Sequence, residues 1–262
     1  MMKRRPLIAG NWKMNKTPQE TSDFIERFLA SSLDDSHCDV LIIPPFTSLD
    51  RAGKLLMESN LLLGAQDMHP ALSGAYTGAI SADMLKACNC TFVLAGHSER
   101  RHIFGDTNAA VNEKLHAVLG NDLQPILCVG ETLEEREADR TESVLEEQLV
   151  GGLENVDAEQ LAKVVIAYEP VWAIGTGLTA TPEQAQGTIA FVRAWMQIHY
   201  GETASEALRI LYGGSVKLAN AQSLQAQPDI DGALIGGAAL DPESFAQIIH
   251  EAMAALGDDD PC

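Results

Sequence analysis

Eight short runs rich in Val, Ile, Leu and Ala recur along the chain, at 7–10, 40–43, 61–65, 92–95, 125–129, 163–168, 208–212 and 232–235. They are near-continuously apolar rather than alternating, which predicts strands buried on both faces, as parallel sheets require. Between them, apolar residues take helical spacing over 21–33 (Phe24, Phe28, Leu29), 108–119, 132–149 and 182–198. Strand–helix units at a period of roughly 30 residues predict an α/β fold: a single-domain (β/α)8 barrel with eight parallel strands, spanning 1–262. A doubly wound open sheet is the alternative. No Gly-x-Gly-x-x-Gly turn follows the first run, whereas glycine pairs follow the seventh and eighth, which favours the barrel. The acidic tail, 257–262, reads as solvated and frayed.

Such a barrel carries its chemistry at the C-terminal ends of the strands, so polar residues just past each run are the candidates. Asn11 and Lys13 follow the first run. His97 follows the fourth, in Gly96-His97-Ser98-Glu99-Arg100-Arg101. Ser98 and Glu99 read as the first turn of a short helix, whose positive end is expected to lower the histidine pKa and keep the ring neutral. Glu169 follows the sixth run directly before Pro170, which restricts its backbone to an extended conformation and fixes its direction. It is a candidate general base.

The segment Val171-Trp172-Ala173-Ile174-Gly175-Thr176-Gly177 has apolar bulk followed by small residues, as a loop closing over a pocket would need. An ordinary connection with a buried Trp172 is the alternative. Gly213-Gly214, followed by Ser215, and Gly236-Gly237 let backbone N–H groups approach an anion, although either pair alone also fits a tight turn.

Charge narrows the partners. Eighteen basic and 37 acidic side chains give a formal charge of −19, a field that repels nucleic acid and anionic membranes. The same field opposes a phosphorylated substrate, so an anion site has to be local, built from backbone amides, helix N-termini and a few placed cations. Lys13 gains weight on this ground. The five cysteines are odd in number and scattered, and Cys88-Asn89-Cys90 lacks the spacer of a zinc or redox pair. Reduced thiols and no metal are expected. No run approaches the ~18 apolar residues of a membrane span, and a cytoplasmic protein is expected.

With those residues in place, the chain resembles the triosephosphate isomerase family from Ala9-Gly10-Asn11-Trp12-Lys13 to Leu234-Ile235-Gly236-Gly237-Ala238. The resemblance implies a TIM barrel that interconverts dihydroxyacetone phosphate and D-glyceraldehyde 3-phosphate without a cofactor. It implies Glu169 as base, His97 as neutral electrophile, Lys13 as a source of positive potential and Asn11 as a substrate-orienting group. Phosphate contacts fall to Gly175, Ser215, Gly236 and Gly237, with Glu99 supporting Lys13. Closure of the loop is expected to raise the Glu169 pKa by removing water.

The segment 66–84 matches the family's protruding third loop, with Thr77 at its tip, which implies a homodimer. Leu178, Asp106 and Asp67 depart from the residues usual in the family, lysine, glutamate and asparagine respectively. Two rivals stand beside this reading. One is another phosphate-binding barrel, such as an aldolase or an isomerase of the aromatic amino-acid pathways; a Schiff-base aldolase needs a lysine at a strand end deep in the barrel, whereas Lys163 begins its run. The other is a catalytically silent barrel that binds phosphorylated metabolites or a protein partner.

Overall fold

The structure, a computed structural model, describes residues 4–31, 37–175 and 178–255. Its strands are β1 (Leu7–Asn11), β2 (Asp39–Ile43), β3 (Leu62–Ala65), β4 (Phe92–Ala95), β5 (Gln124–Val129), β6 (Val165–Tyr168), β7 (Arg209–Tyr212) and β8 (Gly232–Ile235). Each pairs in parallel with the next, and β8 closes on β1. The closed barrel replaces the open-sheet alternative.

The strand residues divide by period two. Leu7, Ala9, Leu41, Ile43, Phe92, Leu94, Ile126, Cys128, Val165, Ala167, Leu211 and Leu234 form one cluster inside the barrel. The alternate residues, such as Ile8, Val40, Ile42, Val93 and Ile166, join a larger cluster with the surrounding helices. This double burial explains why the runs are continuously apolar.

Several helices start where local chemistry demands. Thr17, Thr132 and Thr181 cap their helices reciprocally with Glu20, Glu135 and Gln184, each cap worth about 1 kcal/mol. The stretch 132–149 is two helices rather than one, Leu133–Glu137 and Thr141–Gly152. Asp139 between them takes a left-handed φ of 54°, and the Arg140 N–H turns back to the Glu135 carbonyl at 2.9 Å. The first helix is Pro18–Leu29, begun earlier than its apolar spacing because Pro18 and the Thr17 cap precede it. Leu33 of the expected span lies outside the described residues, as does the tail 257–262.

Candidate active site

The inward register of each strand decides what reaches the mouth of the barrel. One step beyond the inward residues Ala9, Ala167 and Leu234 stand Asn11, Glu169 and Gly236; beyond Leu94, Cys128 and Leu211 stand Gly96, Gly130 and Gly213. The barrel interior therefore ends in polar groups separated by glycines. Above it opens a cavity of about 410 Å³. Asn11, Lys13, His97, Glu99, Glu169, Gly175, Ser215, Gly236 and Gly237 all line it. Thr77 does not; it is exposed on the loop after β3. Thr176 and Gly177 lie outside the described residues.

Glu169 is 2% exposed and spans two partners. One carboxylate oxygen lies 3.0 Å from His97 Nε2, and the other accepts the Ser98 backbone N–H at 2.8 Å. Ser98–His102 is a short helix, and its cap is the His97 side chain, whose Nδ1 accepts the Glu99 N–H at 3.2 Å. A ring nitrogen that accepts a backbone N–H carries no proton, so the neutral ring bears its hydrogen on Nε2, facing Glu169.

Burial opposes charge on both groups, yet each stabilises the charge of its neighbour. The His97 pKa is moved up by the adjacent carboxylate despite burial, and that of Glu169 down by His97 and the Ser98 N–H. The expected lowering at His97 is therefore reversed while the two are in contact. The helix N-terminus is there, but its nearest N–H groups are spent on the Glu169 carboxylate and on Nδ1. Once Glu169 leaves, burial, the largest influence, and Lys13 still favour a neutral ring, against the smaller pull of Glu99.

Lys13 sits beyond β1 with its ammonium 2.8 Å from Glu99. Its φ of 53° is left-handed, a conformation that costs a non-glycine residue about 1 kcal/mol. The two glycine pairs differ in function. A Cβ at Gly213 would stand 2.9 Å from Glu169 Cγ, and one at Gly214 would collide with the Tyr212 hydroxyl. This pair makes room for protein. At Gly237 a Cβ would meet nothing within 4 Å, and at Gly236 only the Lys13 side chain at 3.5 Å. That pair, beside the ammonium, faces open space fit for an anion.

Glu131 escaped the sequence reading. Fully buried just past β5, its Oε1 accepts from Tyr168 at 3.1 Å, Trp172 at 2.9 Å and Arg136 at 3.0 Å, tying the loop after β6 to the barrel. Its place just past a strand was the available signal. Lys163, by contrast, precedes β6 with its ammonium 4.0 Å from Asp122, at the opposite end from the cavity. Among the described residues no group of three or more His, Cys, Asp or Glu could hold a metal ion.

A closed parallel barrel whose C-terminal mouth sets a buried carboxylate and an imidazole beside a cation and an open glycine recess defines a (β/α)8 enzyme equipped to move protons on an anionic substrate. The chain belongs to the triosephosphate isomerase family, whose model, described as "Triosephosphate isomerase", matches residues 6–252. It is similar to the triosephosphate isomerases of Moorella thermoacetica (51% identical), Solibacter usitatus (50%) and Alkaliphilus oremlandii (49%). Each match covers 247 residues, 94% of this chain and 98%, 99% and 99% of the relatives in that order.

Proposed function

We propose that this barrel interconverts dihydroxyacetone phosphate and D-glyceraldehyde 3-phosphate by proton transfer through an enediolate, with Glu169 as the base. The pairing of Glu169 with His97 at the edge of an open, cation-bearing cavity carries the reading. Glu169 leaves His97 and the Ser98 N–H, takes a proton from the carbon beside the carbonyl, and returns it to the neighbouring carbon. His97 Nε2–H, freed from the carboxylate, donates to the substrate oxygens as negative charge develops on them, and the hydroxyl proton of one substrate oxygen passes to the other, so that hydroxyl and carbonyl exchange places as the carbon-bound proton moves. Asn11 orients the substrate and Lys13 supplies positive potential, assisted by Glu99. Gly175, Ser215, Gly236 and Gly237 receive the phosphate.

Phosphate binding, remote from the reacting carbons, drives closure of the loop after β6. Glu169 is already buried at rest. Closure raises its pKa chiefly by parting it from His97 and Ser98, which hold it down. A coupled assay on the purified protein tests the reading, with Glu169→Asp and Glu169→Gln as controls. Turnover of glyceraldehyde 3-phosphate that collapses in both variants is expected. An inactive wild type would favour the silent barrel, against which the retention of Glu169, His97 and Lys13 already argues.

The acting species is a homodimer of single-domain chains. Met14, Phe46, Leu72, Tyr76, Ile103 and Phe104 are exposed apolar residues that follow β1, β2, β3 and β4 in turn. They form one arc of the mouth, a surface suited to a second copy, and Thr77 on that arc would reach the partner's site. Sedimentation at micromolar concentration checks this, and an active, stable monomer would contradict it. A cytoplasmic setting suits the free thiols of Cys38, Cys88, Cys90 and Cys128. No helix among the described residues is long and apolar enough to cross a membrane.

A further inference from the structure

The cavity has to admit an anion into a chain whose formal charge is −19, and few charges line it. Among the described residues these are the cations Lys13 and Lys217 and the carboxylates Glu99 and Glu169, so with a neutral His97 the lining is uncharged in sum. Three of the four are already engaged. Lys13 holds Glu99 at 2.8 Å, and Glu169 holds His97 at 3.0 Å. Lys217 is exposed and forms no ion pair among the described residues. Another lysine of this region, Lys16, sets its ammonium 5.3 Å and 5.0 Å from the ring centres of Trp12 and Phe24 and does not line the cavity. Without Lys217 the lining would carry one uncancelled negative charge, added to the field of the whole chain.

The place of Lys217 is fixed by its neighbours. Ser215, Val216 and Lys217 connect the end of β7 to the helix Leu218–Gln225. Val216 is buried. From the helix side Asn220 closes the turn: its side-chain oxygen accepts the Lys217 N–H at 2.7 Å, and its amide donates to the Ser215 carbonyl at 3.1 Å. The backbone that presents Lys217 is thereby tied to the backbone that presents Ser215, one of the groups the isomerase reading gives to the phosphate. The lysine also stands at the N-terminus of that helix, whose dipole adds positive potential to the same rim. Only the flexible four-carbon stem is left to move, and it carries a compact, hydrated charge over the approach to the cavity.

We infer that Lys217 is the capture cation of this site: an ammonium at the rim that draws a phosphate-bearing ligand in against the field of the chain, before Lys13 and the Gly236–Gly237 recess take hold of it. The inference deepens the isomerase reading and rests on it for the identity of the ligand. A charge acting through solvent favours encounter and is damped by salt, whereas a group that touches the reacting atoms changes kcat and is damped little. Lys217 acts in the first way.

Charge variants of the full chain, assayed for turnover of glyceraldehyde 3-phosphate at two ionic strengths, test this. At about 0.01 M, where the screening length is about 30 Å, Lys217→Gln is expected to lower kcat/KM about threefold and Lys217→Glu about tenfold. Lys217→Arg, which keeps the charge, is expected to match the wild type. At about 1 M, where the screening length falls to about 3 Å, all three variants are expected to agree with the wild type. Throughout, kcat and Tm are expected to stay at their wild-type values, since the side chain is exposed. Calorimetric titration with 2-phosphoglycolate, a phosphate-bearing mimic of the enediolate, gives a parallel readout without turnover, with the same order of Kd at low salt and convergence at high salt. Wild-type kcat/KM in both Lys217→Gln and Lys217→Glu at low salt overturns the inference. So does a loss that persists undiminished at high salt, which would make Lys217 a direct contact or a structural group. The isomerase reading fails on a different result, a wild type that turns over no triose phosphate, and the phosphoglycolate titration then still decides the role of Lys217. A wild type that binds no phosphoglycolate at low salt overturns the inference as well.

Discussion

The two ends of the barrel use the same kinds of charged residue to opposite effect. At the N-terminal end Arg193 donates to Asp229, to Asp231 and to the carbonyls of Ser205, Leu208 and Asp229, all within 3.1 Å. Asp231 in turn accepts from Arg4 and from the Ile210 N–H, and Asp39 joins Arg5 and Arg209. These groups meet one another, and none of them lines the cavity at the other end. At the C-terminal end the pairs Lys13–Glu99 and His97–Glu169 are as short, at 2.8 and 3.0 Å, yet each borders an open cavity. Charges closed on each other hold a fold together, whereas charges that can exchange a partner for a ligand can do chemistry.

Substitutions at the two ends should separate these roles. The largest effect is expected from Glu169→Gln, which should lower kcat about 10³-fold, within the range for removing a general base, while Tm moves by no more than a few degrees. Steady-state kinetics beside calorimetry would show it. Arg193→Met should do the reverse. It leaves the buried Asp231 and the half-buried Asp229 without their main partner, at a cost of about 3 kcal/mol or roughly 10 °C in Tm, while kcat of the folded protein at low temperature stays near wild type. A large fall in kcat there would erase the contrast between the ends.

Gly213→Ala places a methyl group 2.9 Å from Glu169 Cγ and should lower kcat about tenfold, short of removing the base but more than a surface change would do. The same substitution at Gly237, where a Cβ meets nothing within 4 Å, should raise KM more than it lowers kcat, because it intrudes on the ligand's space.

The smallest effect concerns acid stability. Burial pushes Asp106 up, but the hydrogen bonds and charges of Lys114 and Arg100 outweigh it and hold the carboxyl below its ordinary value of 3.8. A depressed carboxyl contributes stability that is present above its unfolded pKa and is lost as pH falls through the folded one. Asp106→Asn should therefore flatten the loss of Tm below pH 3.8, as scanning calorimetry across that range would record. An unchanged slope would mean that these contacts add no pH-linked stability.

Much of this molecule was legible before any coordinate. The strands 92–95 and 232–235 match their apolar runs residue for residue, and the other six agree to within two residues at either end. Apolar burial on both faces leaves a strong local signal. Glu169, His97 and Lys13 were legible because each follows a strand, and Glu131 by the same rule should have been. The break at Asp139 was not, since the apolar spacing runs on through it and only the left-handed turn interrupts the helix.

Period and punctuation are properties of neighbouring residues, so the order of strands and helices and the ends at which chemistry could sit were written in the chain itself. Which groups meet was decided only by closure of the barrel, because residues 13, 97, 99 and 169 become neighbours solely through the stagger and curvature of eight strands. The direction of the His97 shift belongs to that second category, since it depends on a carboxylate 72 positions away standing 3.0 Å from the ring. So does the division of labour between the two glycine pairs, identical as sequence signals but set against protein in one place and open space in the other.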